Sequence, residues 1–135
     1  MPFVLDASVS VSWLFPDEDH PDAAEALRRI EFEDALVPPH WWFELRNSML
    51  VAERRGRSDE ERTTYALARL SRMRLLYAPQ PQEADVFALA RRHRLTFYDA
   101  VYLELAQRHD IPLATLDPAL AAAARIEQVG VISAQ

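Results

Sequence analysis

Four carboxylates in this sequence, Asp6, Glu44, Asp99 and Asp117, stand where side chains of their type do chemistry. Asp6 closes the apolar run Phe3-Val4-Leu5, and Asp117 closes "LATLD" just before Pro118, a residue suited to the first helical position. Asp99 lies in "LTFYDAVYLELA", at the joint between a strand-like and a helix-like apolar stretch. Glu44 sits among Trp41, Trp42, Phe43 and Leu45, on a helical face continued by Asn47, Ser48 and Val51 instead of by a row of charges. Four acids gathered at one edge repel one another unless a cation joins them. Without cysteine or a cluster of histidines, oxygen-only ligation indicates Mg²⁺ or Mn²⁺, not zinc.

Each acid also has an ordinary explanation. Aspartate just before a helix is a favoured N-cap, and Asp117 followed by proline looks like one. Glu44 could pair with an arginine in the core, as buried acids usually do. Capping and metal binding are compatible, because a carboxylate has two oxygens. The histidines, His20, His40, His93 and His109, are scattered through polar or turn-like segments and read as surface residues.

Composition narrows the classes. With 135 residues and 50% hydrophobic content, the chain suits one compact domain with a real core. No run approaches the ~20 apolar residues of a membrane span, and no signal-peptide layout opens the chain. The absence of cysteine fits the cytoplasm. A net charge of -6 argues against a protein that coats nucleic acid, while leaving room for a local basic groove. Every basic side chain is arginine, as codon bias in a GC-rich genome produces. Phosphate loops that need a lysine and several glycines are excluded, since the glycines are Gly56 and Gly130 alone.

The elements that must position the acids follow from periodicity. Strands are predicted at Phe3–Leu5, in "ALVPP", in "LLYAP" and in "IPLATLD", with a last edge strand over Val129–Ile132. Helices are predicted over "ASVSVSWLF", "DAAEALRRI", Trp41 to Arg55, Ser58 to about Met73, Glu83 to His93, after "LTFYD" to about Arg108, and "PALAAAARI". Gly56 is expected to end the third of these, and Ser58 with Glu61 forms a capping-box pattern. Short apolar strands alternating with helices predict a parallel sheet covered on both faces. In such a sheet ligands bind outside the carboxyl ends of the strands, which is where Asp6, Asp99 and Asp117 fall.

In order, "VLDASV" with Asp6, "ELRNSM" with Glu44 and Asn47, "FYDAVYLELA" with Asp99 and "LATLDPAL" with Asp117 resemble the motifs of PIN-domain ribonucleases. The VapC-type toxins of bacterial toxin–antitoxin pairs are the closest resemblance, and it spans nearly the whole chain. It implies an α/β fold, a PIN-like three-layer α/β/α sandwich around a mainly parallel sheet of four to five short strands, as a single domain over residues 1–135. It further implies a Mg²⁺-dependent endoribonuclease (Mn²⁺ being the alternative ion) whose Asp6 and Asp99 ligate the metal while Glu44 and Asp117 complete the pocket. Such a metal polarises a phosphoryl oxygen and lowers the pKa of an attacking water.

Ser8, Asn47 and Thr115 would orient ligands or water, although Thr115 also suits a strand for its own sake. Arg46, Arg54, Arg55 and Arg57 are candidates for gripping RNA phosphates, or else solvated surface. Trp13, Trp41 and Trp42 suit base stacking, core packing or a partner groove. The partners implied are RNA, a cognate VapB-like antitoxin and a second copy in a homodimer, in the cytoplasm and without a membrane. A catalytically degenerate PIN domain that only binds RNA or a partner is the competing reading. A phosphorelay receiver is a poor fit for want of lysine. So is a haloacid-dehalogenase-type phosphatase, which also needs a second aspartate where Ser8 stands.

Overall fold

A computed structural model describes residues 1–134. The elements run β1 (Phe3–Leu5), α1 (Ala7–Ser12), α2 (Pro21–Arg29), β2 (Ala35–Val37), α3 (Trp41–Arg54), α4 (Glu60–Leu70), β3 (Leu75–Tyr77), α5 (Glu83–His93), α6 (Phe97–His109), β4 (Leu113–Ala114) and α7 (Pro118–Ile126). The four strands form one parallel sheet in the order β3-β2-β1-β4. Phe3 pairs with Ala35 on one side of β1, and Val4 with Leu113 on the other. The chain order therefore reverses at β1, and the crevice between β1 and β4 is the topological switch point where ligands settle in such sheets.

β1 is apolar throughout because it is fully buried: Phe3, Val4 and Leu5 expose nothing to solvent. α6 covers it. Ala100 through Ala106 are all buried, so this helix lacks the polar stripe of a surface helix. It packs on β1 and β4, with α5 and α7 beside it, while α2 lies against β4 and α1 joins α2 to α3. The one acid in that buried run, Glu104, is neutralised by two hydrogen bonds from Arg108, at 2.7 and 3.2 Å. Core pairing with an arginine thus belongs to Glu104, not to Glu44.

Three local expectations are corrected. Leu95–Phe97 is no strand: α5 ends at left-handed Arg94, and Thr96 already caps α6. The run is apolar because it joins two packed helices. The cap of α4 is Asp59, whose side chain accepts from the Arg62 N–H at 2.8 Å, and the helix stops at Leu70. Ser58 is diverted, since its N–H closes the end of α3 on Ala52 O at 3.2 Å. The last strand is reduced to a single parallel bridge between Val131 and Leu113.

Gly56 terminates α3 as expected, at a φ of +73° that L side chains resist. A Cβ there would meet nothing within 4 Å, so the penalty for Gly56→Ala is conformational alone. We expect a loss of about 1–2 kcal/mol, read from urea unfolding midpoints at unchanged slope.

Candidate functional site

Asp6 leaves β1 at the N-cap position of α1, yet its side chain makes no capping bond. It is only 6% exposed, and its Oδ2 accepts from Ser8 Oγ at 2.7 Å and from Thr115 Oγ1 at 2.6 Å. The same two hydroxyls accept backbone N–H groups past β4: Leu116 N–H reaches Ser8 Oγ at 3.0 Å, and Asp117 N–H reaches Thr115 Oγ1 at 3.1 Å. These bonds lace the ends of β1 and β4 together around one carboxylate.

The other acids arrive from three helices. Asp117 is a true cap of α7, its Oδ1 accepting from Ala119 N–H at 2.9 Å. Asp99 is the third residue of α6; the cap there is Thr96, whose hydroxyl takes the Asp99 N–H at 3.1 Å. The Asp99 carboxylate is thereby left for other work. Glu44 points from α3 toward α6, where the Tyr102 hydroxyl donates to its Oε1 at 2.5 Å. His40, one turn earlier, lies 3.5 Å from that same oxygen and packs edge-on to the Tyr102 ring.

Asp6, Glu44, Asp99 and Asp117 line one open cleft of about 480 Å³, together with Ser8, Ser12, Ser48, Glu18, His20 and Arg57. Burial pushes the pKa of Asp6 up, and the Glu44 charge adds to the rise against the Thr115 and Ser8 hydrogen bonds. Asp99 is raised by burial and then by the charges of Asp6 and Asp117. Glu44 is raised by burial and, further, by Asp99, with the Tyr102 hydrogen bond opposing. Asp6, Glu44 and Asp99 are therefore coupled through their charges.

Among the described residues, no three acidic or imidazole side chains are gathered tightly enough to hold a metal ion as they stand. The donor set nonetheless suits a hard cation: all ligands are carboxylate oxygens, and their mutual repulsion is what a divalent charge relieves.

The remaining sequence candidates divide. Ser8 and Thr115 touch Asp6 directly, whereas Asn47 is exposed and Ser48 takes its place along the cleft. Arg57 lines the cleft; Arg54 and Arg55 are exposed outside it, and Arg46 folds onto its own helix, with its guanidinium 4.2 Å from the Trp42 ring. Trp41 is buried, its Nε1 donating to Ser10 Oγ, and Trp13 donates to Ala23 O at 2.9 Å.

The uniform surface reading of the histidines is corrected. His40 is pinned beside Glu44 and Tyr102, its pKa lowered by burial, and the His93 side chain is 7% exposed against Glu127. Sequence reasoning missed Tyr102, Glu18 and His20 as residues of this region. For Tyr102 a signal existed, because it stands three residues after Asp99 and so one turn along the same face.

A family model described as PIN domain matches residues 3–126. Ribonuclease VapC3 of Pyrobaculum aerophilum is 32% identical over 124 residues, which cover 90% of this chain and 93% of the relative. The crystal structure of PAE2754 from Pyrobaculum aerophilum superposes with a TM-score of 0.72 at 23% identity, covering 91% of this chain and 84% of that one. A toxin–antitoxin complex from Klebsiella pneumoniae contains a chain similar at a TM-score of 0.57 and 22% identity, with 88% and 89% covered.

Proposed function

The chain belongs to the PIN domain family, and from that membership we propose that it is a Mg²⁺-dependent endoribonuclease, the toxin of a type II toxin–antitoxin pair. The observation that carries this reading is the convergence of Asp6, Glu44, Asp99 and Asp117 on one cleft, where burial and neighbouring charge raise the pKa values of Asp6, Glu44 and Asp99. The curated relative named a ribonuclease supports the activity, and the similar chain in a toxin–antitoxin complex supports the partner.

In this mechanism Asp6 and Asp99 would hold the metal directly, with Glu44 and Asp117 beside them in the same cleft. When bound, Mg²⁺ (or Mn²⁺) polarises a phosphoryl oxygen and makes a water nucleophilic at neutral pH. Ser8 and Thr115 fix Oδ2 of Asp6 so that its carboxylate does not swing free. Tyr102 does the same for Oε1 of Glu44. Burial drives the Tyr102 pKa upward, which keeps its hydroxyl a donor. Asp117 presents to the cleft a carboxylate already anchored by the α7 backbone.

The antitoxin has a natural seat. A mainly apolar groove of about 580 Å³ runs between α1 and α4, lined by Trp13, Leu14, Tyr65, Leu70 and Met73. Of the readings given for the tryptophans, Trp13 takes the groove and Trp41 the core. A homodimer remains part of the proposal, supported by the exposed ring pairs Trp42–Phe43 and Phe87–Phe97.

The deciding experiment is incubation of purified protein with labelled single-stranded RNA. Cleavage is expected in millimolar Mg²⁺ and not in EDTA. Binding without cleavage in both buffers would establish the degenerate, binding-only domain instead.

A further inference from the structure

An acidic cleft repels the polyanion it is meant to cut, so its substrate must be gripped by a cation close by. The geometry points to Arg57 as that grip: it binds the phosphate backbone of RNA at the mouth of the cleft, held in place by Phe15 and Glu18. This inference rests on the ribonuclease reading of the site.

Arg57 is the one arginine among the described residues lining the cleft. Its position follows from the left-handed turn at Gly56. The Arg57 N–H folds back onto Ala52 O at 2.9 Å, redirecting the chain as α3 ends. Arg54 and Arg55, on the helix side of that turn, stay outside the cleft.

Two contacts then fix the plane of the guanidinium. Its carbon lies 4.2 Å from the centroid of the Phe15 ring, and Nη2 donates to Glu18 Oε2 at 2.6 Å. Glu18 is itself held by His20, with Nε2 3.1 Å from Oε1. An ion pair this open, with 48% of the Arg57 side chain exposed, adds little stability. It does orient a rigid five-donor fork whose unused edge suits two phosphate oxygens. Phe15, Glu18 and His20 line the same cleft wall, so the orienting groups and the acids border one space.

The test separates binding from cleavage. In an Asp99→Asn background, the affinity for a fluorescent single-stranded RNA oligonucleotide is measured by anisotropy across a KCl series. Adding Arg57→Ala is expected to weaken binding about tenfold and to flatten the log–log salt slope by about 0.7, one phosphate contact's worth on a single strand. Arg57→Lys should recover the slope but not the full affinity, because the charge remains while the fork is lost. Arg54→Ala should change the slope by less than half as much. In the otherwise wild-type enzyme, Arg57→Ala should raise KM with kcat nearly unchanged. Unaltered affinity and slope in a folded Arg57→Ala protein would overturn the grip while leaving the nuclease intact. Failure of the wild-type chain to cleave RNA in Mg²⁺ is the separate result that removes the reading beneath it.

Discussion

Asp99→Asn protein is expected to fold as the parent does and to lose RNA cleavage by about a hundredfold or more. The cap bond of α6 runs from the Asp99 backbone N–H to the Thr96 hydroxyl, and the change leaves that backbone donor in place. The substitution removes a charged oxygen from the cleft and little else. Asp6→Asn is expected to inactivate equally, because Asp6 is the acid most enclosed among the cleft groups. Circular dichroism establishes the fold, and initial rates on a labelled RNA establish the loss. A folded Asp99→Asn protein that cuts at close to the parental rate would mean the acids are not the reacting site.

The second large effect is thermal and needs no substrate. Asp6, Glu44 and Asp99 all have native pKa values raised above their ordinary 3.8, 4.5 and 3.8, first by burial and then by neighbouring charge. A raised native pKa means that the folded state holds more protons than the unfolded chain between the two values. The stability these groups contribute is therefore present below the ordinary pKa and is lost as pH climbs through the raised one.

Metal-free protein should consequently melt lower at pH 8 than its acids alone would allow at pH 5. Mg²⁺ binds only the folded state and restores about 2.7 kcal/mol at a hundredfold excess over its Kd, roughly 10 °C in Tm for a domain of this size. At pH 5 protons compete for the same oxygens, so the shift should shrink. Asp99→Asn should raise the metal-free Tm and blunt the Mg²⁺ response together. Scanning fluorimetry with EDTA or Mg²⁺ at both pH values reads all of this. Identical Tm values at pH 8 with and without millimolar Mg²⁺ would reduce the four acids to caps and surface charges.

What the sequence made legible is local. Buried strands announce themselves as short apolar runs, and the acids at the ends of Phe3–Leu5 and "LATLD" fall at the sheet's carboxyl edge by topology alone. What it hid is tertiary. Tyr102 meets Glu44 across 58 residues, and no periodicity links them. Arg57 turns into the cleft while Arg55 does not, because one left-handed residue stands between them. Asn47 shares Glu44's helical face at a spacing of three, yet the cleft takes Ser48, at a spacing of four. "LTF" mimics a strand in its apolar residues, yet Leu95 only half-packs against the core and Phe97 is exposed, its ring meeting Phe87 instead.

The pairing of β1 with β4 has a temporal consequence. β4 is the last strand to leave the ribosome, yet it is the immediate neighbour of the first. Until it docks, Asp6 lacks the Thr115 hydroxyl, and the crevice between the two strands does not exist. Domains fold as units, with their amino-terminal parts made first. A nascent or prematurely released chain ending before residue 113 thus carries three of the four acids and no assembled site. In the ribonuclease proposed above, the strand order would keep the cleft from assembling until β4 has been made.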